Sequence, residues 1–172
     1  MNDLMLDLET LSNKPNSVIT QIGACFFDRN TGEVGEKFLH NVSIQSCLDR
    51  GLTVNGSTIK WWFERSKLVT WLDNVKELTW VLSKFREFYY KNRNAIVWSH
   101  ATFDIPILET AYNSTGQNTP IKYKNTRDIR TLTDISNCYP QKQDGDPKNH
   151  NALNDCLYQV EYCVKSIKEV GK

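Results

Sequence analysis

The sequence has no CxxC pair, and its five cysteines (Cys25, Cys47, Cys138, Cys156 and Cys163) are scattered and odd in number. That usage argues against a disulfide framework or a thiolate zinc site and suits a reducing, cytoplasmic compartment. No run approaches the roughly 18 apolar residues of a membrane span, so no membrane association is expected. The opening MNDLMLDLET lacks the basic and apolar regions of a signal peptide. A charge excess is missing too: 21 basic residues face 20 acidic ones, for a formal net charge of +1. Such a balance excludes a protein that coats a duplex by bulk positive charge. Any phosphate-binding surface must be local or assisted by bound cations. Neither an internal repeat, nor a low-complexity tract, nor an interdomain linker is visible, so residues 1–172 are expected to form one domain.

What is present is a core. The 172 residues are 40% hydrophobic, with five Trp, seven Tyr and seven Phe. A chain of this length can bury about two-thirds of its unfolded surface. Residues 4–9 alternate and read as a strand; residues 17–28 are β-rich and end in the turn signal Asn30-Thr31-Gly32; residues 35–43 read as a third strand. These three predict an antiparallel meander. Helical patterns follow over 57–65 and 75–91, the latter with Leu78, Val81, Leu82, Phe85, Phe88 and Tyr89 at three- and four-residue spacing. A compact apolar strand is expected at 95–99, a helix over 103–115, a strand within 122–131, a loop over 140–149 and a closing helix over 151–170. The expected class is α/β, a mixed sheet covered by helices.

Three short motifs carry chemistry. In Asp7-Leu8-Glu9 a strand would turn both carboxylates to one face, while Leu6 and Leu8 point into the core. Two carboxylates that close repel each other, and a divalent cation between them would reverse the penalty; a solvent-facing strand end is the bland alternative. Asp104, after Ser99-His100-Ala101-Thr102-Phe103, opens a helix, where a carboxylate is favoured by the dipole alone. His150 and Asp155 are five residues apart and would diverge around a continuous helix. They converge if His150 lies on the loop and Asn151 caps the helix. The stripe Leu153, Leu157, Val160, Val164, Ile167 is the apparent core face and leaves Asp155 pointing elsewhere. Asp155 can therefore reach a site only if the helix start overhangs it.

In this order, Asp-x-Glu, Phe-Asp and His-x4-Asp resemble the DEDDh group of 3′→5′ exonucleases. The runs Ser57-Thr58-Ile59-Lys60-Trp61-Trp62, Phe103 to Leu108 and Thr126-Arg127-Asp128-Ile129-Arg130-Thr131 are most similar to the exodeoxyribonuclease VIII, phage exonuclease A and RNase AS branch. The motifs span residues 7 to 155. One departure is His100, where many relatives have Asn four residues before the second-motif Asp; it is read as structural.

The resemblance implies a ribonuclease H-like fold, with the meander and parallel strands in one mixed sheet. It also implies hydrolysis of single-stranded DNA or RNA from the 3′ end to nucleoside 5′-monophosphates. Asp7, Glu9, Asp104 and Asp155 would hold two Mg²⁺ or Mn²⁺ ions, hard cations suited to oxygen ligands. Such ions, about 3.5–4 Å apart, clamp both sides of an in-line displacement. His150 would be the general base, since imidazole titrates near neutrality. By the same likeness Thr10 and Leu11 would hold the terminal nucleotide. Phe103 and one of Trp61 or Trp62 are candidates for base stacking, with membership of the core as the alternative. Lys122, Lys124, Arg127 and Arg130 form the densest basic run, and Arg127 is the expected phosphate contact. An accessory or proofreading subunit acting through a polymerase or recombination partner, a binding module with an inactive site, and a small-phosphoester hydrolase are the competing readings. Assembly into a homodimer stays open.

Overall fold

The computed structural model describes residues 1–64, 72–140 and 150–171. Its centre is a five-stranded sheet whose strands lie side by side in the order Val34–Asn41, Ile19–Phe27, Asp3–Thr10, Ile96–Ser99 and Thr126–Asp128. The meander β1 (Asp3–Thr10), β2 (Ile19–Phe27) and β3 (Val34–Asn41) is antiparallel. The strands β4 (Ile96–Ser99) and β5 (Thr126–Asp128) continue the sheet in parallel with β1. The mixed sheet predicted from the sequence is thus present.

Alternation along β1 splits its side chains between two cores, and every residue of the strand is buried. Leu4, Leu6 and Leu8 pack beneath α3 (Leu78–Tyr90) and α4 (Asp104–Ser114), against Val81, Leu82, Phe85, Ile107 and Leu108. Met5 faces the other way, with Cys25 and Phe27, onto Cys156, Val160 and Cys163 of α6 (Ala152–Val170). By the same two-residue period Asp7 and Glu9 continue the Met5 face towards α6.

The closing helix differs from the expectation in its rotation. Its buried residues are Ala152, Cys156, Gln159, Val160, Cys163, Val164 and Ser166, whereas Leu153, Leu157 and Ile167 are only partly covered. The core face is turned by about 80° from the leucine stripe. Small cysteine and alanine side chains let α6 approach the sheet closely, and the larger leucines flank that contact. This rotation brings Asp155 and Gln159 towards β1.

Close approach is most severe at Gly23. A Cβ there would lie 2.3 Å from the carbonyl carbon of Ala152 and 2.5 Å from the amide nitrogen of Leu153. Gln21, one register step away, accepts the Ala152 N–H at 2.7 Å and donates to Asn41 Oδ1 at 2.7 Å. The start of α6 is therefore seated on β2, opposite Asp7 and Glu9, which pair with Gly23 and Gln21 in the sheet.

Two helices were not anticipated. Ser43 caps α1 (Ile44–Leu48), and Asp128 caps α5 (Ile129–Ser136) by accepting the Thr131 N–H. The strand expected within 122–131 is only three residues long because Asp128-Ile-Arg-Thr is a helix start, a capping signal that prevails over β propensity. The helix read at 57–65 is α2 (Gly56–Glu64), with Arg65 outside the described residues. The loop read at 140–149 also lies outside them apart from Pro140. Among the described residues no helix is long and apolar enough to cross a membrane.

Candidate active site

Four carboxylates and two imidazoles line one cavity of about 240 Å³. Asp7 and Glu9 come from β1, Asp104 from the first residue of α4, and Asp155 from the first turn of α6. Ligand atoms of Asp7, His100 and Asp104 lie within 4.8 Å of one another, and so do those of Glu9, His150 and Asp155.

Each element delivers its residue for a local reason. Asp104 stands where the chain leaves β4 and turns into a helix, and its Oδ2 accepts the His100 N–H at 2.9 Å. Asn151 caps α6 by accepting the Leu153 and Asn154 N–H groups, which ends the helix before His150. His150 takes the left-handed conformation, with φ 74°, an uncommon state for a residue with a Cβ. That turn swings its imidazole back over the cavity, and the backbone N–H of His150 donates to the Asp155 carboxylate. The imidazole is gripped edge-on by two indoles, Trp61 at 4.7 Å and Trp62 at 5.7 Å between ring centroids. Trp62 is itself fixed, its Nε1 donating to the Thr10 carbonyl at 3.0 Å.

Electrostatically the cluster is self-repelling. Burial first, then Asp104, Glu9 and Asp155, push the Asp7 carboxyl well above its ordinary range, against a lowering hydrogen bond from Gln159. Glu9 is raised by burial and by Asp155, with which it shares a hydrogen bond. Burial raises Asp104 to about 8 despite N–H donors from His100 and Leu8, and burial also raises Asp155. The neighbouring imidazole moves the other way: burial, then Arg130, lower His100 to about 4. Arg130 is the only cation among the described residues that line the cavity. One guanidinium cannot neutralise four carboxylates in a low-dielectric pocket. An all-oxygen donor set with imidazole at its edge and too little positive charge fits divalent cations.

The remaining sequence candidates divide. Phe103 is half-buried and lines the cavity. Trp61 is half-buried at the His150 ring, whereas Trp62 belongs to the core. Thr10 is buried, its hydroxyl donating to the Ser12 carbonyl, and Leu11 is 2% exposed within the core. Arg127 is not brought to the cavity: its guanidinium donates to the carbonyls of Lys124 and Thr126 at 2.9 and 2.7 Å. Arg130, one helical turn further on, occupies that place, because Asp128 ends the strand and starts the helix. Sequence reasoning also passed over Gln159, although its position one turn after Asp155 was a usable signal.

Comparison with known proteins sharpens this picture. A family model described as the 3′-5′ exoribonuclease Rv2179c-like domain matches residues 2–167. No curated protein matches the chain. The nuclease domain of 3′hExo, a DEDDh family member bound to rAMP, is similar with a TM-score of 0.65 at 14% identity, covering 96% of this chain and 91% of that one. E. coli exonuclease I in complex with a 5cy-dA13 oligonucleotide gives 0.60 at 13% identity, over 97% of this chain and 39% of that one. The zinc-bound form of the E. coli ExoI–ssDNA complex gives 0.65 at 11% identity, over 97% and 40%. The chain thus spans about two-fifths of exonuclease I. At these identities the likeness establishes the fold, a ribonuclease H-like mixed sheet with flanking helices.

Proposed function

The chain belongs to the 3′-5′ exoribonuclease Rv2179c-like domain family, and from that premise we propose that it is a metal-dependent 3′→5′ exonuclease of the DEDDh type. One observation carries this reading: Asp7, Glu9, Asp104 and Asp155, drawn from a strand and two helix starts, meet beside His150 in one small cavity. Single-stranded 3′ ends are the proposed substrate, with RNA favoured by the family description. The nearer likeness, to the exodeoxyribonuclease VIII, phage exonuclease A and RNase AS branch, rests on the motifs around Trp61, Asp104 and Arg127.

In this mechanism the four carboxylates would hold two Mg²⁺ or Mn²⁺ ions, Asp7 and Asp104 lying together on one side of the cluster and Glu9 and Asp155 on the other. Bound there, such ions supply Lewis acidity and charge neutralisation to a phosphodiester undergoing in-line displacement. His150 takes the proton of the attacking water, its ring held in register by Trp61 and Trp62. The water oxygen bonds to phosphorus, the bond to the 3′-oxygen breaks and that oxygen takes a proton from solvent, while His150 gives its own proton back to solvent. A nucleoside 5′-monophosphate and a strand with a new 3′-hydroxyl are released. His100, neutral because of its burial, adds an uncharged polar group beside Asp7 and Asp104. Phe103 offers a ring face to a base at the cavity edge.

The test is digestion of 5′-labelled RNA and DNA, single- and double-stranded, with Mg²⁺, Mn²⁺ or EDTA. Laddering from the 3′ end that EDTA abolishes is expected. An absence of shortening on every substrate with either metal would sink the reading.

A further inference from the structure

Beside the carboxylate cavity lies a second and larger one of about 550 Å³, which shares with it the side chains of His100 and Arg130. Its other walls include Thr131 of α5, Tyr139 just beyond α5, and Tyr162 of α6. Volumes of about 300–1,000 Å³ are those of pockets that take small ligands. We infer that this pocket seats the penultimate nucleotide of the substrate strand, the one that keeps the new 3′-hydroxyl, with Arg130 on its phosphate and Tyr139 against its base. This rests on the nuclease reading above.

A cavity of about 240 Å³ filled with carboxylates has space for the scissile phosphate but not for the nucleotides on both sides of it. Among the described residues an adjoining space opens past His100 and Arg130, which line both cavities. The terminal nucleotide contributes only the phosphate under attack. The penultimate nucleotide brings its own 5′-phosphate, which the acidic cluster repels and which needs a cation beyond it. Arg130 stands at that border. Asp134 also lines the pocket, but its Oδ1 is engaged by the Tyr139 hydroxyl at 2.9 Å. Two tyrosine rings suit bases of any sequence, as expected for an enzyme that removes residues one after another.

The experiment compares a single-stranded tetranucleotide with the p-nitrophenyl ester of thymidine 5′-monophosphate, which carries a terminal nucleotide and no penultimate one. Tyr139 is 59% exposed, so its replacement spares the core. Tyr139→Ala should lower kcat/KM for the tetranucleotide about tenfold more than for the ester, in keeping with loss of one stacked base. Tyr139→Phe should keep the wild-type ratio, which a role confined to the bond with Asp134 would not allow. Equal effects on both substrates, or none, would overturn the inference. A wild-type protein that cleaves neither substrate overturns the nuclease reading instead, and the inference falls with it.

Discussion

Gln159 donates from Nε2 to Asp7 Oδ1 at 2.7 Å, joining the second turn of α6 to the middle of β1 inside the protein. Gln159 is 4% exposed, and its Oε1 has no hydrogen-bond partner among the described residues. An orphaned buried acceptor costs roughly 1–3 kcal/mol. The residue therefore serves Asp7 at the expense of its own amide oxygen. Its donation favours the ionised carboxylate that a cation requires. Gln159→Leu is expected to keep the fold and to raise the Mn²⁺ concentration needed for half-maximal activity about tenfold. Calorimetric titration of Mn²⁺ into the variant checks it; wild-type affinity would show that Asp7 needs no such support.

Gly23→Ala should be among the most damaging small substitutions. Its methyl group would collide with backbone atoms of Ala152 and Leu153, which no rotamer change can relieve. Overpacking of this kind costs about 1–3 kcal/mol, and lifting the start of α6 would also withdraw Asp155 and His150 from β1. A thermal melt should report the first effect. Loss of activity beyond what the remaining folded fraction explains should report the second.

For His150→Ala the expected loss of turnover is about 10²–10⁴-fold, the usual worth of a positioned general base. Oligonucleotide affinity measured with Ca²⁺ should change far less. Parallel losses in turnover and affinity would mean that the ring only packs against Trp61 and Trp62.

Stability of the metal-free protein should fall as pH rises towards 8. Asp104, with a folded value of about 8, keeps its proton where an unfolded aspartate has lost it. Its contribution is fully present below the unfolded value of 3.8 and is lost as pH climbs through about 8. Asp7 and Glu9 act in the same sense. His100 works oppositely between about 4 and 6.5, where the unfolded chain binds the extra proton. One imidazole offsets only part of what the raised carboxyls contribute, so the decline is expected to be shallower below about pH 6.5 and steepest between about pH 6.5 and 8. Melting curves in EDTA should show it, and saturating Mg²⁺ or Mn²⁺ should flatten it. A melting temperature that climbs over this range in EDTA would contradict the electrostatic account of the site.

The family likeness was legible because the residues that meet in the cavity sit in short local motifs. Asp7 and Glu9 share a face through the two-residue period of a strand, and Asn151 announces a helix start that leaves His150 outside it. Alternation and helical spacing likewise marked the meander and α3. The rotation of α6 was not legible, since leucine spacing indicated one face while cysteine, alanine and glycine sizes selected another. Arg130 was hidden by a capping aspartate inside a segment that reads as a strand. Local periodicity and capping, which depend on neighbours in the chain, determined the elements and the identity of the acidic residues. Only tertiary packing decided that α6 presses onto Gly23, because the distance between two elements depends on side-chain volumes from both, and that distance brings Asp155, His150 and Gln159 to the carboxylates of β1.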